Sequence, residues 1–196
     1  MDWDESRMAE PSLLKYNVHT PLQSLSVDKI KQLSAATALP VGLMLFNLHG
    51  DMNSGRSIRT AVILGCSDVW VVGRRRYDRR SVVGAVHYIN VHRFPAISPT
   101  YFAENRLIPI VIEQGGQALE EFSFKSMLPG HIEPGWRVVF IVGSESFGLP
   151  ASFMKALAAP IVTISQYGVI RSLNVSAATS IVLYEYSRQW RASRAV

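Results

Sequence analysis

The chain has 196 residues, of which 48% are hydrophobic and 18% are charged, a composition that is typical of a folded globular protein and excludes a disordered one. This length favours one domain with a sizeable core over two, and the formal net charge of +5 favours a polyanionic partner such as a nucleic acid. The single cysteine, Cys66, excludes an intrachain disulfide framework and a cysteine-rich zinc site.

The N-terminal segment, residues 1–40, is predicted to be an arm that ends in a short helix. Residues 1–20 are polar and aperiodic, and acidic side chains near their start argue against a secretory or mitochondrial leader. The helix is predicted over 26–38, with Ser26 as its N-cap. No run approaches about 18 uninterrupted apolar residues, so we expect no transmembrane helix and no membrane partner. We place the protein in the cytoplasm, with the nucleus as the alternative.

The main domain, residues 41–196, is predicted to begin with a parallel strand–helix–strand unit. Residues 41–48 are almost continuously apolar, which is typical of a strand buried on both faces. A polar loop then leads into a helix over about 54–64, and a second buried strand follows at 68–73. A unit of this kind should have a right-handed crossover.

The rest of the chain continues this alternation of strands and helices. Residues 82–94 are predicted as a helix and then a strand, and 114–135 as a loop with at most a short helix. Pro109 places the strand over 107–113 near an edge or a bulge. The remaining elements are strands over 137–143 and 161–164 and helices over 151–157 and 172–190. This order predicts an α/β fold with a mostly parallel sheet and helices on both faces.

Three polar loops that contain glycine follow predicted strands, and open α/β sheets bind ligands beyond the carboxyl ends of their strands. The first loop carries Asn53 and Gly55, with Arg59 one helical turn further on. The second covers 143–150, and the third, 164–176, runs from a strand into the start of a helix. The fingerprints G-x-G-x-x-G and G-x-x-x-x-G-K-[ST] are absent, which disfavours a nicotinamide enzyme and an NTPase.

In order and spacing, these loops resemble the three signature motifs of the SpoU (TrmH-type) branch of the SPOUT RNA methyltransferases. The motif N-x-G-x-x-x-R is matched at 53–59 and G-x-E-x-x-G-L at 143–149. The motif I-P-x-x-G-x-x-x-S-L-N-V-S is matched at 164–176, with Ser165 where proline is usual. The resemblance covers roughly 41–190, and its third motif is most similar to that of the eukaryotic-type tRNA guanosine-18 ribose methylases.

The resemblance implies methyl transfer from S-adenosylmethionine to a ribose 2′-hydroxyl of structured RNA, with tRNA favoured over rRNA. It also implies a deep trefoil knot in the C-terminal part of the chain and a homodimer. Of the matched positions, Gly143, Ile164 and Leu173 are expected to bind the cofactor, because small or apolar side chains leave the backbone to do the binding. No metal is expected, and Cys66 and His92 are interpreted as structural residues.

Five matched residues are expected to carry the reaction: Arg59, Glu145, Asn174, Asn53 and Ser172. Because arginine does not readily lose its proton, Arg59 is expected to grip an RNA phosphate and polarise the attacking hydroxyl. Glu145 and Asn174 would align Arg59 and the ribose, while Asn53 and Ser172 would shape the loops and the helix start. The alternatives are a helix cap for Asn53, a surface ion pair for Arg59, a loop-bracing carboxylate for Glu145, and ordinary helix-start residues for Asn174 and Ser172.

A run of arginines follows the second predicted strand and comprises Arg74, Arg75, Arg76, Arg79 and Arg80. Arginine contacts phosphate oxygens bidentately, so we expect this run to bind RNA, the alternative being a solvated loop. Since about 40 residues precede the core, either its arginines or an accessory protein is expected to recognise the RNA. The rival functions are an rRNA ribose methylase, a non-catalytic RNA-binding module with a degenerate cofactor site, and a small-molecule nucleotide enzyme.

Overall fold

The computed structural model describes residues 17–46, 48–73, 77–128 and 130–194, and these contain six strands and six α-helices. The strands are β1 (Leu39–Phe46), β2 (Cys66–Val72), β3 (Asn90–Phe94), β4 (Leu107–Ala118), β5 (Arg137–Val142) and β6 (Ile161–Thr163). The helices are α1 (Val27–Thr37), α2 (Asp51–Ile63), α3 (Arg79–Val82), α4 (Thr100–Glu104), α5 (Ala151–Leu157) and α6 (Val175–Ala192). Short 3-10 turns occur at Thr20–Leu22, Ala85–His87, Leu119–Glu121 and Lys125–Met127.

All six strands join one parallel sheet in the order β3-β2-β1-β5-β4-β6. β1 pairs with β2 on one side and β5 on the other, which places the two most continuous apolar runs of the chain in the centre of the sheet. The carboxyl ends of β1, β5, β4 and β6 therefore lie along one edge, where the three motif loops begin.

The sheet is covered on both faces, as the sequence predicts. On one face, alternate residues of β1 and β5 pack against α2 and α6, through side chains such as Ile58 and Tyr186. On the other face, the intervening residues pack against α4 and α5, through Phe102 and Phe153. The predicted α/β fold with a parallel sheet and helices on both faces is thus confirmed.

Several element boundaries differ from the sequence predictions. α2 begins at Asp51 and α6 at Val175, about three residues before and after the predicted starts. β4 extends to Ala118, where 114–135 is predicted as loop. The pairing of β4 with β6 shifts register between Ile112 and Gln117, which is an irregularity of the predicted kind. The strand that contains Pro109 is nevertheless an interior strand, because β4 pairs with both β5 and β6. Pairing with β6 begins only at Val111, which leaves the backbone at the proline with one strand neighbour.

A buried ionic cluster lies near the amino ends of the strands, opposite the motif loops. The Asp68 carboxylate, 5% exposed, is 2.7 Å from His92 Nε2 and accepts a hydrogen bond from Arg137. Although burial opposes ionisation, the hydrogen bonds of His92 and Ser67 and the charge of Arg137 hold the pKa of Asp68 below its usual value. This contact confirms the structural interpretation of His92.

Cys66, the first residue of β2, is packed into the core with 3% of its surface exposed. Burial, together with the nearby Asp68 carboxylate, raises the pKa of its thiol far above the ordinary value. A thiol in this setting stays protonated and unreactive, as expected for a small buried residue.

Candidate active site

The second and third motif loops meet in a cleft of about 340 Å³ at the carboxyl ends of β4, β5 and β6. Six of the predicted site residues line it: Gly143, Ile164 and Leu173 from the predicted cofactor set, and Glu145, Ser172 and Asn174 from the predicted catalytic set. Its remaining surface combines apolar side chains with backbone groups at strand ends. The six residues are a minority of the fifteen residues that line the cleft.

Gly143 is required by close backbone packing at the floor of the second loop. A Cβ atom at this position would lie 2.3 Å from the carbonyl carbon of Gly148, far inside van der Waals contact. The loop closes through two backbone hydrogen bonds, from Ser144 N to Gly148 O (3.1 Å) and from Gly148 N to Ser144 O (2.8 Å). With φ of +62°, Gly148 adopts a left-handed conformation that other residues rarely take. The two glycines therefore hold the loop in a tight turn against the cleft.

Glu145 joins this second loop to the first. Its Oε2 accepts a hydrogen bond from His49 N (2.9 Å), and its Oε1 accepts one from Gly50 N (3.3 Å) and one from Asn53 Nδ2 (2.9 Å). Gly50 is the N-cap of α2, and no side chain of its own caps that helix. The carboxylate therefore acts as a cap supplied from a distant part of the chain, where a negative charge is favourable.

Asn53 and Asn174 continue the connection to the third loop. Asn53 Oδ1 accepts a hydrogen bond from Asn174 Nδ2 (3.1 Å), and Asn174 Oδ1 accepts from Ser176 N (2.9 Å) as the N-cap of α6. A chain of side-chain hydrogen bonds, Glu145–Asn53–Asn174, thus links one residue from each motif. Asn53 is not a helix cap, the alternative raised by its position, whereas Asn174 both caps α6 and belongs to the chain.

The hydrogen bonds also fix the charge of Glu145. Partial burial raises its pKa, but the hydrogen bonds from Asn53, His49 and Gly50 outweigh it, so the pKa lies below its usual value. A carboxylate that is ionised and already accepts three hydrogen bonds is a poor proton acceptor at neutral pH. The geometry favours a positioning role for Glu145 over a general-base role.

Arg59 lies outside the residues that line the cleft. It is exposed on α2, and its guanidinium makes no hydrogen bond or ion pair within the part of the chain that the structure describes. In this structure the Glu145 carboxylate bonds to Asn53 and to the backbone before α2 rather than to Arg59, so the alignment of Arg59 by Glu145 stays a prediction. The alternative of a surface ion pair for Arg59 is equally unsupported among the described residues.

The arginine run is described only in part, since Arg74, Arg75 and Arg76 lie outside the described residues. Arg79 is exposed at the start of α3. Arg80 is also exposed but forms a bidentate ion pair with Asp78, the N-cap of the same helix, with an Nη2–Oδ2 distance of 2.8 Å. Arg79 therefore has an exposed charge, while that of Arg80 is partly compensated by its neighbour.

Sequence reasoning missed the contribution of β4 to the cleft. Glu113 and Gln114 of β4 line it, as does Thr163 at the end of β6, and Gln114 Nε2 donates a hydrogen bond to Arg171 O at 2.5 Å. Thr163 Oγ1 donates to Glu113 O (2.6 Å) and accepts from Gly116 N (2.7 Å), tying the third loop to the end of β4. A signal in the sequence could have found Glu113 and Gln114. They stand at the end of the strand predicted over 107–113, and ligands bind at the carboxyl ends of parallel strands.

Two features are absent from the described ranges. Among those residues, no group of three or more His, Cys, Asp or Glu side chains is placed to hold a metal ion. In the same ranges, no helix is long and apolar enough to cross a lipid bilayer.

Comparison with known sequences gives a consistent group of relatives. Residues 40–184 match the model of the SpoU rRNA Methylase family. A tRNA (guanosine(18)-2'-O)-methyltransferase of Borreliella burgdorferi is 28% identical over 155 residues, which are 76% of this chain and 67% of that protein. An uncharacterized tRNA/rRNA methyltransferase of Mycolicibacterium paratuberculosis is 29% identical over 166 residues, covering 81% of this chain and 50% of the relative.

Solved structures show the same fold. The TrmH/SpoU tRNA modifying enzyme of A. aeolicus superposes with a TM-score of 0.69 at 17% identity, over 86% of this chain and 84% of that one. An AdoMet-bound rRNA methyltransferase of Sinorhizobium meliloti gives a TM-score of 0.61 at 26% identity, over 76% of this chain. The match covers 56% of the Sinorhizobium chain, so this protein spans little more than half the length of some relatives.

Proposed function

Because the chain belongs to the SpoU rRNA Methylase family, we propose that it is an S-adenosylmethionine-dependent methyltransferase acting on a ribose 2′-hydroxyl of structured RNA. The observation that carries this proposal is the Glu145–Asn53–Asn174 chain at the wall of the cleft, since it unites residues of all three motifs. The tRNA-directed name of the Borreliella relative favours tRNA, and rRNA is the alternative substrate.

The cleft fits S-adenosylmethionine. Gly148 lies so close to Gly143 that position 143 has no room for a side chain. Ile164 and Leu173 add apolar surface to the cleft, and Gln166 and Ser172 add polar groups. We assign Gly143, Ile164 and Leu173 to cofactor binding, by an apolar slot edged with backbone donors and acceptors. The bound cofactor would supply an electrophilic methyl group.

The residues of this chain would act mainly by positioning and electrostatics. Glu145 and Asn53 hold the start of α2, and Asn174 holds the start of α6, so the two helices are fixed relative to the cleft. Arg59 has an unpaired guanidinium among the described residues and is proposed to bind the RNA phosphate and polarise the attacking hydroxyl. Ser172 is exposed at the cleft and is assigned to orienting the ribose.

We also propose the homodimer and the knot that the family resemblance implies. α6 exposes Ile181 (39%) and Tyr184 (54%), and the third loop exposes Tyr167 and Val169 almost fully, an apolar surface that a second copy would cover. The knot is supported by contacts between the two segments it would entangle: Gln114 binds the Arg171 carbonyl, and the Gln189 side chain binds the backbone of Phe124 and Phe122. RNA recognition is assigned to Arg79 and Arg80, together with Arg74, Arg75 and Arg76, or to these with an accessory protein.

Calorimetric titration with S-adenosylmethionine tests the cofactor assignment. Gly143→Ala should lower the affinity at least tenfold, because the added Cβ forces the loop away from Gly148. Ile63→Ala is the control, since Ile63 is 70% exposed and lies outside the residues that line the cleft, and it should leave the affinity unchanged. Equal affinities for the two variants would contradict the assignment of the cleft.

Arg59→Ala tests the catalytic assignment. The variant should retain cofactor affinity within a few-fold and lose at least 100-fold in the rate of methyl transfer to bulk tRNA, a typical loss for a group that acts on the transition state. Arg56→Ala, an exposed arginine on the same helix, is the control. Near-normal turnover by Arg59→Ala would overturn its role, and cofactor binding without transfer to any RNA would favour a non-catalytic RNA-binding module.

A further inference from the structure

A second cavity, of about 740 Å³, lies beside the cofactor cleft on the same edge of the sheet. Its floor is apolar and is formed by Leu45, Leu48, Val71 and Val72, at the ends of β1 and β2. His49, Ser54, Ser144 and Phe147 contribute polar and aromatic groups to its walls. We call it the lateral pocket, and no role proposed above uses it.

The wall between the lateral pocket and the cleft is the hydrogen-bonded junction described above. Ser144 lines both cavities. Glu145, on the cleft side, accepts a hydrogen bond from the backbone of His49, on the lateral side. A nucleotide whose ribose lay at this wall would therefore present its hydroxyl toward the cleft while its base extended into the lateral pocket.

We propose that the lateral pocket receives the base of the nucleotide that is methylated, with Phe147 as its stacking surface. This inference rests on the proposed function and adds the acceptor site to it. A nucleobase has two apolar faces and a polar edge, which suits an apolar floor with polar groups at the rim.

Phe147 has the position and exposure that stacking requires. Its side chain is 84% exposed, and its ring contacts the His49 ring edge-on, with centroids 6.1 Å apart and an angle of 86° between the planes. Its backbone is fixed, because Phe147 N donates to Ser144 Oγ (3.2 Å) within the closed 144–148 turn. An anchored aromatic ring that is open to solvent is a ready platform for a base.

The charge of the neighbouring sequence suits the same occupant. β2, whose last two residues line the lateral pocket, is followed in the sequence by the arginine run, and none of the described residues that line the pocket is acidic. A described lining without negative charge does not oppose the entry of a nucleotide with its phosphates.

The test compares Phe147→Ala, Phe147→Trp and the unaltered protein, with Ile63→Ala as a control at another exposed apolar side chain (70% exposed). Phe147→Ala should raise the KM for RNA roughly 5- to 100-fold, the range expected for one base–aromatic stack, with the affinity for S-adenosylmethionine unchanged. Phe147→Trp should restore the KM, and Ile63→Ala should not alter it. An unchanged KM, an equal loss of cofactor affinity, or an altered oligomeric state in Phe147→Ala would overturn the inference.

A double-mutant cycle identifies the base as the partner of Phe147. Once the methylated position is mapped, an RNA lacking the base at that position should bind the unaltered protein more weakly, and Phe147→Ala should weaken binding of this RNA no further. Additive losses would overturn the assignment of the pocket even if methylation proceeds. Failure of the unaltered protein to bind S-adenosylmethionine and to methylate any RNA would instead overturn the proposed function, and this inference with it.

Discussion

At the scale of single residues, Glu145 shows how one side chain can join two loops of the candidate site. Its two oxygens accept hydrogen bonds from two backbone amides at the start of α2 and from the Asn53 amide. These hydrogen bonds are exposed, so water would replace the carboxylate if it were removed, and the loss of stability should be that of ordinary hydrogen bonds to a charged group.

The lowered pKa of Glu145 predicts a dependence of stability on pH. Because the folded-state pKa lies below the usual 4.5, the ionised carboxylate stabilises the fold above that pH, and this contribution is lost as the pH falls through the folded-state pKa. Glu145→Gln should therefore reduce the free energy of unfolding at pH 7 and flatten its decline below about pH 4.5.

Urea denaturation between pH 3 and 7 would measure this effect. Glu133→Gln is the control, because the Glu133 side chain is exposed and makes no hydrogen bond among the described residues. If Glu145→Gln and the unaltered protein lose stability in parallel as the pH falls, the hydrogen bonds of Glu145 do not contribute as proposed.

At the scale of elements, Asn174 makes two different contacts at the start of α6. The side chain caps the helix through Ser176 N and joins α2 through Asn53. The cap is local and common to many helices, whereas the hydrogen bond to Asn53 connects residues 121 positions apart in sequence. The start of α6 at Val175 rather than Ser172 follows from this cap, because Asn174 itself has extended backbone angles.

Substitutions at Asn174 should separate the effect of the helix cap from that of the hydrogen bond to Asn53. Asn174→Ser can keep the cap but cannot reach Asn53, so it should preserve the free energy of unfolding within a few tenths of a kcal/mol and reduce methyl transfer at least tenfold. Asn174→Ala should lose both, with a destabilisation of about 1 kcal/mol. Denaturation and methyl-transfer assays on the two variants would check this, and full activity in Asn174→Ser would show that only the cap matters.

The elements that the sequence predicted best are those whose burial is uniform. β1 and β5 are buried on both faces, so their apolar runs leave no alternative assignment. The end of β4 was missed because 114–118 reads Gln-Gly-Gly-Gln-Ala, with no apolar signal. Backbone pairing with β6 and the Thr163 hydroxyl, which bonds to Gly116 N and Glu113 O, hold that segment in place.

The sequence proposes which residues belong to the candidate site, but it does not show which hydrogen bonds join them. Motif spacing identified Glu145, Asn53 and Asn174, yet a sequence does not state which oxygen faces which amide across about 90 residues or more. The partner of Arg59 stays a prediction for the same reason. Long-range hydrogen bonds depend on how helices are placed, and that placement comes from packing of the whole core.

At the scale of the whole molecule, the exposed apolar surface of α6 and the third loop predicts the proposed dimer. Tyr184→Asp should shift the protein toward the monomer, because a charge at a dry interface has no compensating partner. Sedimentation analysis would measure the shift, with Val83→Asp, also an exposed apolar position, as the control. A monomeric unaltered protein, or a Tyr184→Asp variant that remains dimeric, would place the interface elsewhere or exclude it.

Because Cys66 is buried, the reactivity of its thiol can report how often the fold opens. It is the only thiol in the chain, it is 3% exposed in the core, and its raised pKa keeps it protonated while the fold is closed. A thiol-directed reagent should therefore modify the protein only during excursions that uncover the start of β2. The labelling rate, followed with and without ligands, would measure how strongly each ligand suppresses these excursions, without any engineered probe.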